Sequence, residues 1–233
     1  MLDIKANLDA VRNRIKQAEV RFGREPGSVQ LVAVSKTKPV ELIRQALAAG
    51  QKVFGESYIQ EAVEKIQQLN NTSLQWHFIG PIQSNKTKLI AENFEWVHSI
   101  DRLKIAQRLS DQRPDKLPVL NVCLQINISE ESTKSGVTLS ELSELIESIL
   151  KLPKINLRGF MAIPSRERDF QEQRKHFKLL SDTLAEMNQH FCLTMDTLSI
   201  GMSGDLEAAV AEGATLVRVG TDIFGEREYK KQV

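Results

Sequence analysis

The chain has 233 residues, of which 41% are hydrophobic, 26% charged and 6% aromatic, and this length is enough for one sizeable hydrophobic core. Its 31 basic and 30 acidic side chains leave a formal charge of +1, which excludes the strong positive field typical of nucleic-acid-binding and membrane-surface proteins. No stretch approaches the roughly 20 apolar residues that cross a bilayer, and the first residues are charged throughout, so we expect a cytoplasmic protein.

The chain begins with the pattern of an amphipathic helix that ends near Gly23. Apolar residues recur there at helical spacing along one face, namely Ile4, Leu8, Val11, Ile15 and Ala18. The period then changes, and the short apolar run from Gln30 to Val34 predicts a buried strand. A second helix is predicted after this strand, with Pro39 at its start and Gly50 just beyond its end.

Further strands of the same kind follow along the chain. They are predicted at 52–55, 74–80, 95–100, 118–126, 155–163, 196–200 and 214–220. A helical pattern follows each of them except the last. Nearly continuous apolar strands that alternate with helices are typical of a parallel sheet covered by helices.

Eight strand and helix units predict a closed (β/α)8 TIM barrel, because eight is the closing number and the length lies in the range of that fold. We expect one domain over residues 1–233 that includes the N-terminal amphipathic helix. The alternative is an open, doubly wound sheet. It is disfavoured because no GxGxxG motif follows the first predicted strand.

In such a barrel the chemistry is placed where the strands end, and Lys36 directly follows the first strand. A partly desolvated amine at this position loses its proton more easily and can attack a carbonyl to form an imine. Strand alternation does not separate Lys36 from Lys38, since both share the parity of Val32 and Val34. A solvated loop is the ordinary alternative for both lysines.

The loops after strands seven and eight are where barrels of this kind often bind phosphate. Here Gly201 to Gly204 (GMSG) lead into a short helix, and Arg218 to Thr221 (RVGT) close the last strand. Glycines let backbone amides approach an anion, and the hydroxyls of Ser203 and Thr221 can donate beside them. Ordinary turns, with Ser203 as a helix cap, are the alternative. A lysine opposite a phosphate site suggests pyridoxal 5′-phosphate (PLP).

Several blocks of sequence resemble the YggS/PROSC family of PLP-binding proteins, also called PLP homeostasis proteins. The blocks run in order through nearly the whole chain: VAVSKTKP, FGESYIQE, WHFIGPIQSNK, HSIDR, GFMAIP, GMSGDLEAAV and VRVGTDIFG. The resemblance implies a barrel like the N-terminal domain of alanine racemase, a type III PLP fold, without its C-terminal β-domain. It also implies a Schiff base between PLP and the first lysine of SKTKP, which is Lys36.

The resemblance assigns further roles residue by residue. It places Ser203 and Gly204 with Gly220 and Thr221 around the phosphate, and Arg218 beside the pyridine nitrogen. His77 and Met161 belong to matching blocks and are expected near the cofactor, although a histidine or methionine on an apolar strand is more often part of the core. Ser57 stands where the family commonly has asparagine, so a shorter hydroxyl replaces the side-chain amide that the resemblance places near the phenolic oxygen of PLP.

The function that the resemblance implies is non-catalytic binding of PLP in vitamin B6 and amino-acid homeostasis. The alternative is a PLP-dependent amino-acid racemase, which needs a second base. The two tyrosines are not obviously placed for that role, since Tyr58 begins a helix and Tyr229 lies in a charged tail. A phosphosugar aldolase that uses Lys36 without PLP is a third option.

We expect a monomer that binds PLP. Apo-enzymes that depend on PLP are its candidate protein partners, and storage of PLP without delivery is the alternative. We do not expect nucleic acid or a membrane as partners. No metal site is predicted, because the chain lacks a HExxH motif and has only two cysteines, Cys123 and Cys192.

Overall fold

The computed structural model describes residues 2–70, 73–128, 135–165 and 167–226. Its eight strands are all parallel and pair in chain order from β1 to β8, and β8 pairs back with β1. The strands are β1 Gln30–Val34, β2 Val53–Glu56, β3 Gln75–Phe78, β4 Trp96–Ile100, β5 Leu120–Gln125, β6 Ile155–Met161, β7 Thr197–Ser199 and β8 Leu216–Val219. The predicted (β/α)8 barrel is confirmed, and the open-sheet alternative is wrong because closure leaves no edge strand.

Helices cover the outside of this barrel. They are α1 Ile4–Arg21, α2 Val40–Ala48, α3 Ile59–Leu69, α4 Thr87–Asn93, α5 Leu103–Gln112, α6 Leu142–Ile149, α7 Phe170–Phe191, α8 Leu206–Ala211 and α9 Thr221–Phe224. Short 3₁₀ turns at Ser84–Lys86 and Leu139–Glu141 precede α4 and α6. Within the described residues, no helix is both long and apolar enough to span a membrane.

The N-terminal helix forms because Asp3 caps it and because its apolar stripe has a surface to cover. The Asp3 side chain accepts the Ala6 N–H at 3.0 Å. All five predicted stripe residues are buried, and the helix contacts α2, α8 and α9. This helix therefore closes the outer layer between the first and last units of the barrel.

Strand alternation divides the core into an outer and an inner layer. On β1, Leu31 and Ala33 belong to the large cluster between strands and helices. Val32 belongs to a smaller cluster with Val53, Trp96, Cys123, Met161 and Leu216. Because neighbouring residues of a strand face opposite sides, this smaller cluster fills the inside of the barrel. Residues of the same parity nearer the strand ends therefore face the mouth of the barrel.

Candidate functional site

Lys36 lies on a tight turn at the carboxyl end of β1. The Ser35 N–H donates to the Gly55 carbonyl at 3.0 Å, so pairing with β2 continues one residue beyond the strand. The Lys38 N–H then donates to the Ser35 carbonyl at 3.1 Å and closes the turn. Between them, Thr37 has a φ of 65°, an unusual value for a β-branched residue. Lys36 itself is partly exposed at the mouth of the barrel.

The structure separates the two lysines that alternation left equivalent. Because the turn ends the extended backbone at Ser35, Lys38 no longer follows the parity of β1. Its Nζ donates to the Glu226 carbonyl at 2.6 Å, and the residue lines a groove beside α2 and α3. Lys36 is therefore the lysine that stays at the carboxyl end of β1, whereas Lys38 is engaged beside the helices.

Arg218 is a buried cation on β8, in register with Val32 of β1. Its Nη1 donates to the backbone carbonyl of Ser199 and, at 2.7 Å, to the Ser199 hydroxyl, while its Nη2 donates to the Ala162 carbonyl at 3.0 Å. Burial lowers the pKa of this guanidinium to about 10, so it stays protonated at neutral pH. Among the described residues, no carboxylate lies within ion-pair distance of it.

Arg218 therefore has unused capacity for a ligand. A guanidinium carries five N–H donors, and the three contacts above leave two of them for another acceptor. A buried cation without an ion-pair partner favours a ligand that supplies an acceptor or negative charge. A pyridine nitrogen or an anion fits this requirement.

A chain of hydrogen bonds runs from Arg218 across the inside of the barrel to His77. The Ser199 Oγ lies 2.7 Å from His98 Nδ1, and His98 Nε2 lies 2.8 Å from His77 Nδ1. The Ser199 hydroxyl accepts from Arg218 and still has a second lone pair and its own proton, so the tautomers of the two histidines set the direction of the chain. In either tautomer, His77 Nε2 is a buried ring nitrogen without a hydrogen-bond partner among the described residues.

Both histidines are held neutral by burial. Burial lowers the pKa of His77 to about 3 and that of His98 well below its usual value. The His77 ring stacks on Trp96, with 5.3 Å between ring centroids. His98 and Ser199 were missed by sequence reasoning. His98 lies two residues after Trp96 on β4, so both side chains face the same side of the strand, the inside of the barrel. This alternation was the one signal in the sequence that could have placed His98 there.

Ser57 and Met161 lie at different depths in the barrel, Ser57 at its mouth and Met161 in its interior. Ser57 follows β2 directly at the mouth, where Gly80 packs on it so closely that a Cβ at Gly80 would lie 2.3 Å from the Ser57 carbonyl oxygen. Met161 is buried in the inner cluster and is in register with Ser199. His77 and Met161 thus lie in the barrel interior, whereas Ser57 lies with Lys36 at the strand ends.

The loops after β7 and β8 contain backbone amides without an acceptor among the described residues. Within the described residues, the N–H groups of Ser203, Gly204 and Thr221 have no hydrogen-bond acceptor. The cap residue of α8 is Asp205 and not Ser203, so the interpretation of Ser203 as a helix cap is wrong. Gly204 has open space in front of its Cα, as an approaching ligand requires.

Gly220 brings the loop after β8 close to β1. A Cβ on Gly220 would lie 3.1 Å from the Val34 carbonyl oxygen, two residues before Lys36. The structure therefore gathers Lys36, Ser57, Arg218 and the free amides of two loops at one mouth. His77 connects to this group through the hydrogen-bond chain. No group of histidine, cysteine and acidic residues suited to a metal ion occurs in the part of the chain that the structure describes.

Known proteins resemble this chain over nearly its whole length. The family model of the alanine racemase N-terminal domain matches residues 6–228. The pyridoxal phosphate homeostasis protein of Escherichia coli (strain K12) is 52% identical over 235 residues, which covers 100% of both chains. The protein of the same name from Pseudomonas aeruginosa is 54% identical, with 98% of each chain covered.

Solved structures agree with these matches. PipY of Synechococcus elongatus, determined with PLP bound, has a TM-score of 0.84 and 36% identity, and the match covers 95% of this chain and 100% of that one. Alanine racemase from Corynebacterium glutamicum, 17% identical, shares the fold with a TM-score of 0.72 over 99% of this chain and 63% of its own. The chain therefore belongs to the alanine racemase N-terminal domain family and, within it, to the pyridoxal phosphate homeostasis proteins.

Proposed function

We propose that this protein binds PLP at the mouth of its barrel and serves vitamin B6 and amino-acid homeostasis in the cytoplasm without turning over a substrate. The observation that carries the proposal is the convergence at one mouth of a lysine, a buried arginine without an ion-pair partner, and two loops of unused amides. Two further findings support the same ligand. Relatives that are about half identical to this chain are named pyridoxal phosphate homeostasis proteins, and PipY was determined with PLP bound.

The residues fit the three polar parts of PLP. We assign the two remaining N–H donors of Arg218 to the ring nitrogen, and the unused amides of Ser203, Gly204 and Thr221 to the phosphate. Gly220 keeps its loop close to β1. When bound, PLP supplies an aldehyde carbon that a lysine amine can attack with loss of water, and we assign this amine to Lys36. Ser57 directly follows β2, the neighbour of β1, and we assign it a polar contact with PLP; we assign His77 and Met161, which are buried inside the barrel, to the floor of the site.

The absence of turnover is argued from Arg218 and the tyrosines. Because an arginine can only donate to the ring nitrogen, it keeps that nitrogen unprotonated, and a neutral ring is a poor electron sink. Racemisation also needs a base on each face of the substrate. Tyr58 is half exposed at the cap of α3, and Tyr229 lies outside the described residues.

The test is to load the protein with stoichiometric PLP, reduce it with borohydride and map the modified lysine by mass spectrometry. We expect the label on Lys36, and we expect Lys36→Ala to lose the visible absorption band of the covalent adduct. A label on Lys38 in the wild-type protein would refute the assignment. A colourless protein that takes up no PLP would instead favour the aldolase alternative.

A second measurement separates PLP binding from catalysis. The loaded protein is incubated with L- and D-alanine in deuterated water, and exchange of the α-proton is followed. We expect rates near those of free PLP. Exchange faster by several orders of magnitude, and dependent on Lys36, would make the protein a racemase.

The partners follow from the same proposal. We expect apo-enzymes that depend on PLP to gain activity when mixed with the loaded protein, faster than the unaided release of PLP allows. We also expect the protein to sediment as a monomer. Recovery at the rate of unaided release would mean storage rather than delivery.

A further inference from the structure

A buried ion cluster lies under the turn that carries Lys36. Lys65 of α3 donates from Nζ to Glu56 Oε1 at 2.8 Å, to Glu61 Oε1 at 2.5 Å and to the Ser35 carbonyl at 2.7 Å. Its side chain is only 7% exposed, and that of Glu56 is fully buried. A lysine ammonium has three donors, so these contacts use all of them and Lys65 is not a competing amine.

The cluster holds both neighbours of Lys36. The Ser35 hydroxyl donates to Glu56 Oε1 at 2.7 Å, and the Thr37 N–H donates to Glu61 Oε1 at 2.6 Å. The residue before Lys36 is therefore tied through its side chain and its carbonyl, and the residue after it through its amide. No other turn at the described strand ends is joined to a buried ammonium in this way.

The backbone of the turn also suggests a function for the cluster. Thr37 adopts a left-handed conformation that disfavours β-branched side chains, and the contact with Glu61 holds it there. Such local strain persists only where the surroundings over-determine it, and it is common at ligand-binding sites. A cluster that only joined α3 to the barrel would not need to fix the residues on either side of Lys36.

We propose that Lys65 is a positioning residue which, with Glu56 and Glu61, fixes the turn that presents the Lys36 amine to the mouth of the barrel. The inference rests on the proposed function, because that function makes Lys36 the amine that meets an aldehyde. It assigns Lys65 no contact with the ligand. A defect in the cluster should therefore affect every aldehyde that Lys36 binds, with or without a phosphate.

The test uses Lys65→Met together with the pair Glu61→Leu and Glu61→Gln. Glutamine keeps an oxygen that can accept the Thr37 N–H, whereas leucine does not, so glutamine is the conservative rescue. Matched controls are Lys151→Met and Glu147→Leu, since Glu147 and Lys151 form an exposed pair with the same spacing as Glu61 and Lys65. Should Lys65→Met fail to fold, the Glu61 pair decides the outcome.

The first readout needs no ligand. Amide hydrogen exchange is measured by mass spectrometry on peptides that contain Ser35 to Thr37 and, for reference, on peptides from β5 and β6. We expect at least tenfold faster exchange at the turn in Lys65→Met and Glu61→Leu, with the reference peptides unchanged, and exchange near wild type in Glu61→Gln. Equal exchange at the turn in all variants would overturn the proposal.

The second readout compares PLP with pyridoxal, which lacks the phosphate. We expect Lys65→Met and Glu61→Leu to lose at least tenfold in affinity for both ligands by the same factor, with a weaker visible band and with recovery in Glu61→Gln. Loss confined to PLP, or none, would overturn the role of Lys65. If the wild-type protein binds neither ligand, the proposed function fails, and the exchange measurement alone decides the role of the cluster.

Discussion

The two sides of the barrel mouth are held by contacts of different kinds. On the amine side, the ammonium of Lys65 is buried against Glu56 beneath the Lys36 turn. On the other side, called the phosphate side after its proposed ligand, Arg14 of α1 reaches the Ser203 carbonyl at 3.0 Å, Glu207 at 2.9 Å and Asp222 at 2.7 Å. The side chain of Arg14 is 33% exposed, and those of its two acidic partners are exposed to a similar degree.

This difference in burial predicts a difference in rigidity. Breaking a buried ion pair leaves an uncompensated charge in a medium that solvates it poorly, whereas an exposed pair is screened by water and salt. The turn that presents the amine should therefore be fixed, and the phosphate loops should adjust at small cost. A covalent linkage needs the amine in one place, while several amides around an anion tolerate small shifts.

The largest effect is expected when the amine side loses its cation. Lys65→Met should lower the free energy of unfolding by about 3–5 kcal/mol, because it leaves the carboxylates of Glu56 and Glu61 without their cation. Urea unfolding of the ligand-free protein measures this change, with Lys151→Met as the exposed control. A loss below about 1 kcal/mol would mean that water reaches the cluster, and the two sides would then not differ as described.

On the phosphate side, a substitution should lower the affinity for PLP and leave the stability of the fold nearly unchanged. Thr221→Val should weaken PLP by about ten- to a hundredfold, or about 1.5–3 kcal/mol, because it removes a donor to a charged group, and pyridoxal should bind as before. Isothermal titration with both ligands measures this contrast. Thr194→Val is the control, since Thr194 is exposed and precedes β7 at the opposite end of the barrel. An equal loss for both ligands would contradict the assignment.

The hydrogen-bonded histidines His77 and His98 are buried inside the barrel, and they should make the free energy of unfolding depend on pH. Both rings are neutral in the folded protein, since burial lowers the pKa of His77 to about 3 and that of His98 well below normal, whereas both titrate near 6.5 when unfolded. The contribution of the neutral rings to the free energy of unfolding is therefore fully present above about pH 6.5, and it is lost as the pH drops from there toward 3. Within that window, each ring lowers the free energy of unfolding by about 1.4 kcal/mol for every unit by which the pH falls.

A single substitution isolates one of these rings. His77→Phe can keep the stack on Trp96 and should reduce the slope of unfolding free energy between pH 6 and 5 by about 1.4 kcal/mol per unit. His190→Gln, at an exposed position, should leave the slope unchanged. An unchanged slope in His77→Phe would show that His77 is protonated in the folded protein.

The barrel was accessible from sequence because each strand carries its own signal. Strand β1 begins and ends at the predicted residues, Gln30 and Val34, since a polar loop and a turn enclose the apolar run from Leu31 to Val34. The fifth and sixth strands are shorter than predicted, ending at Gln125 and Met161. The apolar residues beyond those ends belong to the loops that follow the strands. Composition alone does not distinguish an apolar residue of a strand from one of the next loop.

The ion cluster was not accessible from sequence. Glu61 and Lys65 are four residues apart on a helix and look like an ordinary solvated pair. Their burial depends on how α3 packs beside β1, which is a tertiary property. The choice between Lys36 and Lys38 was open for a related reason, because the left-handed Thr37 ends the alternation on which the sequence argument relied. Family resemblance, and not spacing, selected Lys36.

The smallest loss of affinity is expected when Arg14 is replaced. The loss is informative because it should affect PLP and not pyridoxal. Arg14→Met removes the donor to the Ser203 carbonyl and leaves Glu207 and Asp222 uncompensated beside the loops that would hold the phosphate. Because these groups are partly exposed, the loss should be about 0.5–1 kcal/mol, or two- to fivefold in PLP affinity, and smaller at high salt. Pyridoxal should bind as before.

The matched control for Arg14 lies one half-turn earlier on the same helix. Arg12 donates to the Ala49 carbonyl at 2.9 Å and to Gln51, and it touches neither phosphate loop. Arg12→Met should therefore leave both affinities unchanged while removing a similar number of contacts from α1. If Arg12→Met and Arg14→Met weaken PLP equally, α1 acts only by stabilising the barrel. If Arg14→Met alone weakens PLP, and only PLP, the N-terminal helix helps to shape the phosphate side of the mouth.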